Sequence, residues 1–196
     1  MEEITILGED GNTGAYLLRI FVAEDLYVRF GRFQKGRPIF VHGGEYVYVG
    51  SAMASKGSMI LARRLLRHAT RCDPERPHEI RERLLMALRV AGMGPASLQP
   101  PAQKKLFWNI DYLLEEDAVS LSHVVILRSQ IKLEDGLALF LMDQPGSRIV
   151  AKGLGAHDKR GQSHLLAFQE TDQWWQKLPA ALCLYMVDIP HILDIP

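Results

Sequence analysis

The chain has 196 residues, and 23 Lys+Arg balance 23 Asp+Glu, so the formal net charge is zero and bulk charge does not mark it as a nucleic-acid binder. Hydrophobic residues make up 47 %, enough for a substantial core, yet no apolar run reaches the roughly 20 residues of a membrane span, and the acidic start MEEITILGED lacks the apolar stretch of a secretory signal. Cys72 and Cys183 are too few and too scattered for a disulfide framework or a zinc knuckle, so the expectation is a cytoplasmic protein with reduced thiols and no membrane partner.

In chain order, GAYLLRIFVAE (14–24) and LYVRFGRF (26–33) predict two strands. Turn residues follow at 34–38 and 42–44, and a third strand over 46–50 completes a meander. Within EYVYVGSA (45–52), Tyr46 and Tyr48 share one face and Val47 and Val49 the other, because side chains alternate along a strand. A helix is expected from about 59 to 71 with Ser58 as N-cap, and a second from Pro77 to Ala91 with Gly92 closing it. Residues 92–103 have the Gly and Pro density of a loop. KLFWNIDYLLEE (105–116) is helical by period, with Trp108 read as core. Then come a strand over 122–128, a short helix over 133–142, a polar glycine-bearing loop over 153–162 and a strand over 163–168. The apolar, proline-punctuated tail 179–196 is expected to add an edge strand or to cover a protein partner. The expected class is α+β: one domain over 1–196, with a small antiparallel or mixed sheet flanked by helices.

The first helix carries the sharpest charge signal. At about 100° per residue, Leu61, Ala62, Leu65, Leu66 and Ala69 form an apolar arc, and Arg63, Arg67 and Arg71 a basic arc opposite. Arg64 and His68 are four apart and lie on the seam between the arcs. No acid occurs between Met53 and Arg71, and Lys56 adds a charge at the entrance. The basic arc reads first as a solvated helix face; the missing counter-charge is the weakness of that reading, because an uncompensated basic stripe is tolerated more easily where it meets a polyanion.

These pieces resemble the GIY-YIG nuclease superfamily. The matching residues are Gly14-Ala15-Tyr16, Tyr48-Val49-Gly50, Arg64 and His68. More narrowly, YVGSA (48–52), RLLRH (64–68), WNIDYLL (108–114) and SHL (163–165) resemble the branch catalogued as domain of unknown function 123. The resemblance implies a GIY-YIG-like core over about 14–168, an insertion at about 72–104 and an apolar C-terminal extension at 169–196. It also implies a divalent-metal-dependent endonuclease on DNA or RNA. Tyr16 and Tyr48 would position or activate water, with His68 beside them. Arg64 would hold the scissile phosphate, and Asp111 would recruit Mg²⁺ or Mn²⁺. A fixed guanidinium suits a phosphodiester transition state, and a hard cation needs only one or two carboxylates plus waters. Glu115 shares the face of Asp111, while Asp158 and His164 match the branch loop. Ser51, Lys56, Arg63, Arg67 and Arg71 are the expected nucleic-acid contacts.

The chain departs from the branch in two places. The branch's His-Trp-His-Ile-Asp is here Phe107-Trp108-Asn109-Ile110-Asp111, and both cysteines of its loop are replaced within Asp158–Leu165. Two His and two Cys are a tetrahedral zinc set, so no structural zinc is expected. The competing readings are a non-catalytic nucleic-acid-binding module on the same scaffold and a protein-interaction domain docking through its tail.

Overall fold

The computed structural model describes residues 1–8, 11–73, 75–155 and 163–193, with only the backbone at 58 and 188–193. Six strands form one sheet in the order β1-β6-β2-β5-β8-β7: β1 (Ile4–Leu7), β2 (Gly14–Val22), β5 (Gly44–Ala52), β6 (Val119–Arg128), β7 (Ser147–Ile149) and β8 (Leu165–Phe168). β1 and β6 run parallel, and every other pairing is antiparallel. A hairpin of β3 (Leu26–Val28) and β4 (Ile39–Val41) forms a separate two-stranded sheet. The helices are α1 (Leu61–His68), α2 (Arg81–Val90), α3 (Asn109–Leu114), α4 (Glu134–Met142) and α5 (Asp172–Leu193). The architecture is the expected mixed α+β.

Strand alternation sorts the sheet into two dry faces. Tyr16, Leu18, Ile20, Tyr46 and Tyr48 pack with α1, α2, α3 and the β3–β4 hairpin. Ala15, Leu17, Val47, Val49 and Phe168 pack with α4 and α5. Because β2 and β5 are covered on both faces, they read as nearly continuous apolar runs. Tyr46 is structural, its hydroxyl donating to the His42 carbonyl at 2.7 Å.

Several sequence expectations are corrected. There is no meander, because β2 pairs directly with β5, and the strand expected over 26–33 is the short β3, which pairs only with β4. α1 has Ile60 as its N-cap residue in place of Ser58. Pro77 lies outside α2: the buried His78 accepts the Leu121 amide at 3.2 Å, and its own N–H bonds the Ala69 carbonyl, holding 77–80 against β6 until the helix starts at Arg81. Gly92 takes the left-handed conformation expected of a helix end (φ 65°). The tail is helical. α5 runs through Pro179, and the helix bond lost there is offset by Trp175, Leu178 and Leu182, which are buried against the sheet. Trp174 and Trp175 pack with Phe168, and the Arg19 guanidinium lies 4.1 Å from the Trp175 ring, so this pair is core. The stretch 72–104 also builds core, since Leu84, Leu85, Leu88, Met93 and Leu98 all belong to the first cluster. Among the described residues, no helix is long and apolar enough to cross a membrane.

Candidate active site

Two glycines explain how the first motif folds. Tyr16 lies opposite Gly50 in the β2–β5 register, and its ring crosses the space that a Cβ at Gly50 would fill. A Cβ at Gly14 would meet the Leu127 carbonyl, so that glycine lets β2 close against β6. The ring placed over Gly50 directs the Tyr16 hydroxyl at α1, where it meets His68 Nε2 at 2.9 Å. Tyr48 completes an aromatic trio, its ring centroid 6.3 Å from Tyr16 and 6.2 Å from His68.

Behind His68 lies Asp111. His68 Nδ1 and Asp111 Oδ1 are 3.4 Å apart, and both side chains are fully buried. Burial pushes the Asp111 carboxyl up. The His68 contact, the Lys104 ammonium and the Phe107 amide outweigh it and hold the group well below the usual carboxylate range. Burial lowers the His68 pKa, and Asp111 offsets this only in part, so the resting ring is neutral. Nδ1 faces the carboxylate without a hydrogen bond to it, and a neutral ring that keeps its proton on that side leaves Nε2 to accept from the Tyr16 hydroxyl.

Asp111 is not placed like a metal ligand. Its Oδ2 accepts Arg67 at 2.6 Å and the amides of Phe107 and Trp108 at 3.0 Å each. Its Oδ1 faces His68 and the Lys104 ammonium, 3.8 Å away. As the third residue of α3 reaching back to the N-cap amide, it is a helix-capping carboxylate. Glu115 is structural as well, pairing with Lys104 at 2.8 Å and accepting the Cys72 amide at 2.8 Å.

A different carboxylate faces the strand end. Glu134, in the first turn of α4, accepts the Ser51 hydroxyl. Its Oε1 lies 3.3 Å from His164 Nδ1, out of line for a hydrogen bond, and neither nitrogen of the buried His164 ring has a hydrogen-bond partner. Burial raises the Glu134 pKa, but His164 and Ser51 outweigh it and keep the group ionised. Arg64 approaches the same residue from the other side. It donates to the Ser51 carbonyl and lays its guanidinium 4.6 Å from the centroid of the Trp108 ring. A guanidinium and a carboxylate thus bracket Ser51 at the end of β5. The Tyr48 hydroxyl lies in the fields of both charges. Burial first and Glu134 second raise its pKa, so the phenol is protonated at neutral pH.

Tyr16, Tyr48, Arg64 and His68 are therefore neighbours, with Ser51 and His164 beside them. Asp111 joins the row from its buried end, and Asp158 lies outside the described residues. The basic arc is not free of counter-charge as its sequence suggests. Arg67 pairs with Asp111, and Arg71 contacts Asp117 at 3.4 Å and the Val119 carbonyl at 2.6 Å. Arg63 and Lys56 remain exposed. Sequence reasoning missed Glu134, because an acid in the first turn of an apolar helix is ordinary dipole chemistry.

A family model, the domain of unknown function DUF123, matches residues 15–184, and the chain belongs to that family. No curated protein and no solved structure matches the chain significantly.

Proposed function

We propose that this DUF123 member is a divalent-metal-dependent endonuclease of the GIY-YIG type, hydrolysing phosphodiester bonds in DNA or RNA. One observation carries the reading: Arg64 and Glu134 hold the two polar groups of Ser51, its carbonyl and its hydroxyl, at the end of the strand that carries Tyr48. A fixed cation, a hard anionic oxygen and a proton-bearing hydroxyl are the parts such a reaction needs.

Arg64 grips the phosphate. One N–H is committed to Ser51, and the remainder of its five donors stay available for two phosphate oxygens. Glu134 is the residue that fits Mg²⁺ or Mn²⁺, with the Ser51 hydroxyl and His164 beside it. Among the described residues no cluster of three His, Cys, Asp or Glu side chains could hold a metal. A hard cation that keeps most of its waters needs only one or two protein carboxylates. When bound, the cation stabilises charge on the leaving oxygen. Asp111 does not fit: its Oδ2 already accepts three donors, and its Oδ1, though without a hydrogen-bond partner, is fully buried and faces His68 and the Lys104 ammonium.

Tyr48 orients the attacking water through its hydroxyl. Tyr16 holds its proton toward His68 Nε2, so a proton arriving at the Tyr16 oxygen passes on to that nitrogen. The Asp111 charge then stabilises the imidazolium, the role a buried carboxylate plays behind a relay histidine. Neutral His68 in the resting protein is the form able to accept. Asp111 acts through His68 and is a positioning residue.

The test is cleavage of duplex, branched and single-stranded DNA and RNA with Mg²⁺ or Mn²⁺. Arg64→Ala should lower turnover on the order of 100–1000-fold with a far smaller change in affinity, and lysine should rescue it only in part. A wild-type protein that binds nucleic acid yet cuts none of it with either metal would replace this reading with that of a binding module.

A further inference from the structure

At the start of α3 opens a groove of about 710 Å³, lined by Gly31, Arg32, Phe33, Phe107, Asn109 and Tyr112 among others. We infer that it seats one unpaired nucleobase, adenine preferred, of the nucleic acid held by the site. The inference rests on the nucleic-acid reading above, but not on cleavage.

The chemistry of the lining points to a base. Asn109 is 8 % exposed, and its Nδ2 has no hydrogen-bond partner. A buried amide left unpaired is costly, and a lining amide of this kind is satisfied by a ligand carrying an acceptor. A carboxamide presents a donor and an acceptor side by side, the pattern that matches adenine N7 and N6–H. Aromatic surface stands around it. Phe107 is 71 % exposed, an unusual position for so large an apolar ring, while Phe33 and Tyr112 are half-buried. Such faces stack on bases without regard to their identity. The volume lies within the range of sites for small organic groups.

Charge and continuity point to a nucleic acid as the source of that base. Residues 29–38, which join β3 to β4 along one side of the groove, contain Arg29, Arg32, Lys35 and Arg37 and no acid. The turn is held in a specific shape. Gln34 and Lys35 both adopt left-handed conformations (φ 46° and 59°), and Arg29 braces it by donating to the Gly36 carbonyl at 2.7 Å. Strain at two adjacent non-glycine residues is a mark of functional loops. The groove is also coupled to the phosphate-binding arginine. Phe107 packs edge-on against Trp108 at 4.8 Å, and the Arg64 guanidinium lies 4.6 Å from the centroid of the same Trp108 ring. Trp108 thus connects the arginine to Phe107 at the groove. An unpaired base fits where a duplex cannot deliver one without unstacking, so the groove selects single-stranded, flapped or bulged substrates.

The experiment measures binding in EDTA, where cleavage is off. Fluorescein-labelled single-stranded 12-mers of dA, of dT and of an abasic backbone are titrated by anisotropy, and 2-aminopurine in the dA strand reports stacking. The wild type should bind dA more tightly than dT, and the abasic strand most weakly. Phe107→Ala, at a position 71 % exposed and outside both hydrophobic cores, should weaken dA binding on the order of tenfold or more and leave abasic binding unchanged. Asn109→Ala should erase the dA preference over dT. Equal binding of all three strands, or wild-type affinity and 2-aminopurine quenching in Phe107→Ala, would overturn the inference even if Arg64-dependent cleavage is present. Base-dependent binding by a protein that never cuts would keep the groove and remove the nuclease.

Discussion

Replacing Asp111 by Asn separates a structural carboxylate from a metal ligand. The substitution keeps an oxygen for the Phe107 and Trp108 amides but removes the charge that faces Arg67 at 2.6 Å and the buried Lys104 at 3.8 Å. Removing one partner of a buried ionic cluster costs about 3–5 kcal/mol, because the remaining charges stay desolvated. Lys104 retains Glu115 at 2.8 Å and the Thr70 carbonyl at 2.9 Å. The expected loss is therefore near the lower bound, about 3 kcal/mol, equivalent to roughly 6–12 °C in Tm for a chain of this size. Urea unfolding followed by tryptophan fluorescence measures the first quantity, and a thermal scan the second. Any activity lost should not return at high Mg²⁺. Glu134→Gln should behave in the opposite way, with stability changed by about 1 kcal/mol or less, turnover lost, and part of it restored by excess metal. An Asp111→Asn protein that unfolds at the wild-type midpoint and recovers activity with added Mg²⁺ would refute this assignment.

Gly50→Ala should destabilise by about 1–3 kcal/mol as an overpacking change, since the new methyl enters the Tyr16 ring. In a Tyr16→Leu background the same change should cost much less, and equal costs in the two backgrounds would show that the ring does not need the glycine. Acid should unfold the protein through His78, whose pKa is lowered by burial, and next by Arg71, to about 3. Above the unfolded value of roughly 6.5 the ring is neutral in both states. Below it only the unfolded chain takes up the proton, so stability falls by about 1.4 kcal/mol per pH unit, or about 2 kcal/mol by pH 5. His78→Gln, which keeps an acceptor for the Leu121 amide, should flatten that slope; urea midpoints at pH 7 and pH 5 test it, and an unchanged slope would count against the buried-neutral histidine.

Elements whose pattern is local were readable from the sequence. β2 and α1 declare themselves by composition and period, and Tyr16, Tyr48, Arg64 and His68 come together as the resemblance implies. What failed depends on partners distant in the chain. The three-residue strands β4 and β7 have no pattern of their own, and they exist because β3 and β8 pair with them. β1 is fixed by its parallel partner β6, more than a hundred residues away. The prolines of the tail suggest interruption, but burial of Trp175 and Leu182 carries α5 past Pro179. The basic arc of α1 seemed uncompensated because its acids, Asp111 and Asp117, lie some forty residues downstream. Asp111 turns inward for the same reason: Arg67 and His68, which it faces, lie some forty residues upstream.

The seating of Arg64 has an entropic consequence. A long arginine side chain ordinarily gives up on the order of 2 kcal/mol of rotamer freedom when it grips a ligand. Here the guanidinium is already anchored at the Ser51 carbonyl and stacked on Trp108. That loss is incurred when the protein folds, so under the proposed function an arriving phosphate would meet a fork already held in place, and its capture would leave the arginine's own disorder almost unchanged.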